Sequence, residues 1–227
     1  MTSIASQLED LQQEIAKTCA KYQIIKHNVR LIAVSKRQDV SKIAQAFDAG
    51  HKDFGENFVQ EALEKIHHLS ELDINWHMIG AIQSRKCSDI AQHFDWVQSV
   101  DRLKVAHKLS AARPDHLAPL NICLQVNLFN EQQKAGLDEK GCLELAAQIV
   151  KLPRLTLRGI MALPPKQTDF DAQRAQFFNI HTLYQKLAKQ YPSVDTLSMG
   201  MSGDYHAAIA EGSTMIRLGT AIFGQRD

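Results

Sequence analysis

Eight short apolar segments, each separated from the next by a stretch of helical periodicity, constrain this chain more than any other feature. The strand-like segments lie at 31–35, 51–54, 74–79, 95–100, 121–127, 155–161, 195–199 and 214–218. Between them, apolar residues recur at spacings of three and four over 39–49, 57–69, 84–93, 101–112, 138–151, 171–191 and 203–211. In 39–49, Val40, Ile43, Ala44 and Phe47 share a face, Asp39 is a candidate N-cap and Gly50 follows the end. Strands that alternate with helices pair in parallel, because each crossover needs a helix to return the chain. Eight such units predict closure into a (β/α)8 TIM-like barrel. The competing fold is an open doubly wound sheet, but the G-x-G-x-x-G fingerprint is absent after the first strand. An extra N-terminal helix over residues 1–23 is predicted from Ile4, Leu8, Leu11, Ile15, Cys19 and Tyr22, with Thr2 or Ser3 as its cap.

The bulk numbers agree with one domain spanning 1–227. Of the 227 residues, 44% are hydrophobic and 22% charged, enough to bury a sizeable core. The formal net charge of +1 gives no reason to expect a nucleic-acid or anionic-membrane partner. Cys19, Cys87, Cys123 and Cys142 form no C-x-x-C pair and read as reduced, packed thiols. The N-terminus carries acids and glutamines where a signal peptide needs an apolar run. No stretch approaches 18 apolar residues, so a soluble, cytoplasmic protein is expected.

A barrel of this kind places its site at the C-terminal ends of the strands. The tips carry Lys36 after strand 1, "FGEN" (54–57) after strand 2 and "WHMIG" (76–80) at strand 3. Gln125 and Asn127 stand on strand 5, Met161 on strand 6, "SMGMSGD" (198–204) after strand 7 and "IRLGTAIFG" (216–224) over strand 8 and its exit. Lys36 has an ordinary reading, a strand-end lysine with its stem on apolar surface and its head in water. The loops after strands 7 and 8 alter that prospect. Ser202 lies among glycines just before a predicted helix, and Gly219 and Thr220 allow close approach to an anion. TIM barrels often bind phosphate there. A lysine across the mouth from a phosphate cradle suggests pyridoxal 5′-phosphate (PLP), whose aldehyde forms a Schiff base with lysine. Arg217, on the same strand face as Gly219, is placed to meet the pyridine nitrogen; its alternative is a rim salt bridge.

The segments "LIAVSK", "FGENFVQEA", "WHMIG…QS.K", "GIMAL", "SMGMSGD" and "IRLGTAIFG" run from residue 31 to 224. On these the chain resembles the PLP homeostasis proteins, whose barrel is similar to the N-terminal domain of alanine racemase. The resemblance implies covalent PLP on Lys36, Ser202, Gly219 and Thr220 at the phosphate, Arg217 near the ring nitrogen, and Asn57 and His77 lining the pocket. For His77 the residue itself equally allows a hydrogen-bonded core histidine. One loop departs from the family pattern "GPLQSNK": this chain has "GAIQSRK", with Ala81 and Arg85 as the changes. The resemblance further implies control of PLP supply to other enzymes without efficient turnover; transient contact with apo PLP-dependent enzymes and a monomeric state are expected alongside it. A minimal amino-acid racemase or lyase is the alternative, and a barrel for another phosphorylated metabolite is a third. Tyr22, Tyr184, Tyr191 and Tyr205 all fall in predicted helical stretches, and only Tyr205 starts near the rim.

Overall fold

The first strand hydrogen-bonds to both the second and the last, and that pairing closes the sheet. The computed structural model describes residues 3–24 and 29–224. Its strands are β1 Arg30–Val34, β2 Asp53–Glu56, β3 Asn75–Met78, β4 Trp96–Val100, β5 Leu120–Val126, β6 Leu155–Ala162, β7 Thr196–Ser198 and β8 Met215–Leu218. They form a closed parallel barrel in chain order, with β1 paired to β8 so that Ile32 stands opposite Arg217. The helices are α1 Ile4–Lys21, α2 Val40–Asp48, α3 Val59–His68, α4 Cys87–His93, α5 Leu103–Ala112, α6 Glu139–Ile149, α7 Phe170–Gln190, α8 Tyr205–Ala210 and α9 Thr220–Phe223. The (β/α)8 architecture and the N-terminal helix are those read from the sequence.

The departures are local. The predicted strand 51–54 runs from Asp53 to Glu56, so Glu56 is a strand residue and Asn57 follows directly. Helix 57–69 begins at Val59, because Phe58 takes extended backbone as its N-cap. The stretch 84–93 opens with a 3-10 turn at Ser84–Lys86 before α4. The four-residue α9 was not anticipated. Ser3 caps α1 by accepting the Ser6 N–H at 3.1 Å, while Thr2 lies outside the described residues. No helix among the described residues is long and apolar enough to cross a membrane.

Strand parity sorts the core into two layers. Leu31, Ala33, Phe54, Trp76, Met78, Val97, Ile122, Leu124, Ile216 and Leu218 face the helices and form the large outer core. Ile32, Trp96, Cys123, Met161 and Met215 face inward and form a smaller cluster inside the barrel. α1 is tied onto this shell by Tyr205, whose hydroxyl donates to Glu14 Oε2 at 2.7 Å, and by a 2.9 Å bond between Thr18 and His206. The four cysteines are free thiols; burial pushes those of Cys123 and Cys142 up to about 12.

The rest of the interior is polar and internally paired. Arg217 Nη1 donates to Ser198 Oγ at 2.5 Å, and Ser198 Oγ donates to Gln98 Oε1 at 2.6 Å. Gln98 Nε2 donates to His77 Nδ1 at 3.0 Å. With Nδ1 accepting, the other ring nitrogen carries the proton and donates to Asp53 Oδ1 at 3.2 Å. Asp53 in turn pairs with Arg30 at 2.5 Å, near the opposite end of the barrel. His77 stacks on Trp96, whose ring also lies under the guanidinium groups of Arg30 and Arg158. Burial outweighs the attraction of Asp53 and lowers the His77 pKa from 6.5 to about 4, so the ring is neutral near pH 7.

That depressed value makes a pH-dependent contribution to stability. Above pH 6.5 His77 is neutral in both folded and unfolded chain, and its contribution is complete. As pH falls from 6.5 toward 4 the unfolded chain binds a proton that the folded chain refuses, so stability drops by about 3 kcal/mol in all. Urea unfolding at steps across this window is expected to show that loss, and His77→Gln is expected to remove up to about 1.4 kcal/mol per pH unit of the slope. An unchanged slope in the variant would show that His77 is not the group responsible.

Candidate functional site

The site begins where β1 ends. Ser35 still donates its N–H to the Gly55 carbonyl at 3.1 Å, and the chain then turns, with Gln38 N–H donating to the Ser35 carbonyl at 3.0 Å. Lys36 and Arg37 form the corner, and Arg37 sits in the left-handed region at φ +58. This turn delivers Lys36 to a cavity of about 200 Å³ at the C-terminal mouth of the barrel. Its apolar wall is Val34, Ile79, Met161, Leu163 and Met201; its polar lining is Lys36, Asn57, Ser202, Arg217, Gly219 and Thr220.

Each polar group arrives by a separate local device. Asn57 follows β2 and is fixed by close approach of the β3 exit. A β-carbon on Gly80 would lie 2.1 Å from the Asn57 carbonyl oxygen, so only glycine fits there. Ser202 stands on a loop that Asp204 closes: Asp204 Oδ1 accepts the Met201 N–H at 2.6 Å, and Asp204 N–H donates to the Met201 carbonyl at 3.0 Å. Gly200, at φ +100, accepts the Arg217 N–H at 3.0 Å and ties this loop to β8. Gly219 and Thr220 open α9, whose first N–H groups have no acceptor within the helix.

Arg217 forms the floor. Its guanidinium is buried and bonded to Ser198 Oγ and, through Nη2, to the Ala162 carbonyl at 3.0 Å. Burial lowers its pKa from 12.5 to about 10, which leaves it cationic at neutral pH. No carboxylate lies within ion-pair distance of it among the described residues. The rim salt bridge is therefore not what holds Arg217.

Six of the seven sequence-derived candidates thus meet at one cavity. His77 does not line it. It is fully buried in the barrel interior with both ring nitrogens bonded, the core-histidine alternative. Gln125 and Asn127 also stand apart: they bond the carbonyls of Ala135, Glu131 and Lys134 and so shape the loop after β5. Tyr205 is buried with its hydroxyl on Glu14, and no tyrosine lines the cavity among the described residues. Ile79, Leu163 and Met201 were not singled out from sequence, because apolar residues at strand exits look the same whether they pack a core or wall a pocket. The variant loop lines a second, neighbouring cavity of about 490 Å³, which shares Asn57 with the first and includes Ala81, Arg85 and Lys86.

A primary amine, a hydroxyl- and N–H-bearing rim and a buried cation, set around an apolar slot, suit a planar phosphorylated ligand with an electrophilic carbon. Comparison with known proteins points the same way. Residues 8–227 match the family described as alanine racemase, N-terminal domain. The chain is 46% identical over 231 residues to a pyridoxal phosphate homeostasis protein of Vibrio alginolyticus, covering 100% of this chain and 99% of that one. It is 44% identical over 230 residues to the protein of the same name from Escherichia coli K12, covering 100% and 98%. PipY of Synechococcus elongatus PCC7942, solved with PLP bound, superposes with a TM-score of 0.86 at 36% identity, over 98% of this chain and 100% of PipY. The alanine racemase of Clostridium difficile 630, at 12% identity and a TM-score of 0.70, shares the barrel fold over 95% of this chain and 57% of its own. With full-length identity at this level and a barrel closed in the same way, the chain belongs to the pyridoxal phosphate homeostasis protein family, built on the alanine racemase N-terminal barrel.

Proposed function

We propose that this protein binds PLP through Lys36 and holds it for supply to other enzymes, so regulating the level of free PLP. The observation that carries the reading is the convergence of Lys36, Arg217, Ser202, Gly219 and Thr220 on one cavity of about 200 Å³. The donor set fits the ligand. Ser202, Thr220 and the N–H groups that open α9 offer donors to a phosphate at the rim. The apolar wall accepts the faces of an aromatic ring, and Arg217, whose partners in the barrel are neutral oxygens, keeps its charge for the ligand. When bound, PLP supplies an aldehyde that condenses with a primary amine and a ring that draws electrons from it. Lys36, beside the cationic Arg217, is the amine.

The lining favours retention over turnover. Arginine has no acceptor atom, so Arg217 can donate to the ring nitrogen and cannot stabilise its protonated form. Racemisation also needs an acid or base on the face opposite the lysine, and no tyrosine is available there among the described residues. Free cysteines support work in the reducing cytoplasm; on this reading the protein acts as a monomer that meets apo-enzymes transiently.

Three outcomes are expected. Lys36→Ala should lose the visible absorption of the lysine-bound cofactor and its borohydride-fixed label, while the phosphate loops still retain PLP weakly; an undiminished label would place the attachment elsewhere. Ser202→Ala should weaken PLP roughly ten- to a hundredfold, as expected for one charge-assisted hydrogen bond. Pyridoxal, which lacks the phosphate, should be unaffected, and equal weakening of both would remove Ser202 from the phosphate. Holo-protein mixed with single L- or D-amino acids should invert them far more slowly than a median enzyme's rate of about 10 s⁻¹. Turnover near that rate would promote the racemase or lyase reading.

A further inference from the structure

The turn that carries Lys36 is gripped from the side by α3. Lys65 on that helix is only 5% exposed, and its ammonium donates to three oxygens. These are the Ser35 carbonyl at 2.8 Å, Glu56 Oε1 at 2.8 Å and Glu61 Oε1 at 2.6 Å. Glu61 Oε1 also accepts the Arg37 N–H at 2.5 Å. Glu56, fully buried at the end of β2, additionally accepts the Ser35 hydroxyl at 2.6 Å. The peptide before Lys36 is therefore held by a cation on its carbonyl, and the peptide after it by an anion on its N–H. The two charges belong to one i,i+4 pair.

A buried ion pair contributes little net stability, because desolvation offsets much of the attraction. This one grips a backbone that needs holding. Arg37 sits at φ +58, a region that side chains with a β-carbon rarely occupy. Such a conformation persists only where the surroundings over-determine it. The direction in which Lys36 leaves the corner follows from the same turn.

We infer that Glu61 and Lys65, seated on Glu56, are positioning residues that hold the left-handed turn at Arg37 and so aim the Lys36 amine at a carbonyl carbon in the cavity. This rests on the PLP reading above. In the step they serve, the Lys36 nitrogen adds to the aldehyde carbon, and the aldehyde oxygen leaves as water with both amine protons.

The test uses the full chain. Glu61→Ala removes the acceptor of the Arg37 N–H and leaves Lys65 on Glu56 and Ser35. The rate of covalent PLP capture is expected to fall about tenfold, while pyridoxamine 5′-phosphate, which has no aldehyde for Lys36 to attack, binds within about twofold of the parent. Adding Arg37→Gly should recover most of the rate, since glycine takes the left-handed conformation without a clamp. Lys65→Met should slow capture further; if it does not fold, the Glu61→Ala and Glu61→Ala/Arg37→Gly pair carries the decision. Unchanged capture in Glu61→Ala, equal weakening of both ligands, or no recovery with glycine overturns the clamp. If borohydride and peptide mapping of the unaltered chain find no label on Lys36, the PLP reading falls and the clamp with it. A label there with rates insensitive to Glu61 overturns the clamp alone.

Discussion

Arg217 is a fully buried guanidinium that meets neutral oxygens, and the interior of the barrel is arranged around it. An isolated buried charge is strongly unfavourable unless hydrogen bonds and a distributed field answer it. Here the answer runs along the barrel: Ser198, Gln98 and His77 each accept from one neighbour and donate to the next, ending on the carboxylate of Asp53. All donors point away from the cavity, so the chain presents aligned dipoles whose negative ends face Arg217. The order also sets the His77 tautomer and keeps both of its ring nitrogens bonded within the barrel.

A second group of charges does for the amine end of the site what this chain does for the arginine end. Lys65 and Glu61 touch the backbone on the two sides of Lys36, and Glu56 holds Lys65 and the Ser35 hydroxyl behind them. Strand ends and glycine loops bring the polar groups to the mouth. The two buried networks decide where the reacting atoms point once they arrive. A rigid frame behind the reacting side chains is what precise positioning requires.

The same frame explains why a racemase-like barrel need not be a racemase. Under the proposed binding, Arg217 would face the ring nitrogen and lower the electron demand of a bound cofactor, and no tyrosine lines the cavity among the described residues. The second cavity beside the site carries Arg85 and Lys86 on its lining and gives the approach to the mouth a basic side.

The sequence alone determined the alternation of strands and helices, and through it the barrel, because a period of two or of 3.6 is written in local residue order. It also determined the strand-tip lysine, the Ser–Gly and Gly–Thr loops and Arg217, which stand next to their strands along the chain. Strand parity turns His77 inward, yet its height along the axis depends on the stagger between strands, which no strand encodes by itself. Only the tertiary structure put His77 below the cavity, seated Asn57 against Gly80, and gathered Glu56, Glu61 and Lys65 around Ser35 and Arg37. Those contacts join segments more than 20 residues apart. They exist because the parallel pairing of β1 with β2 brings the end of β2, and α3 after it, beside the turn after β1, a neighbourhood no local pattern reports.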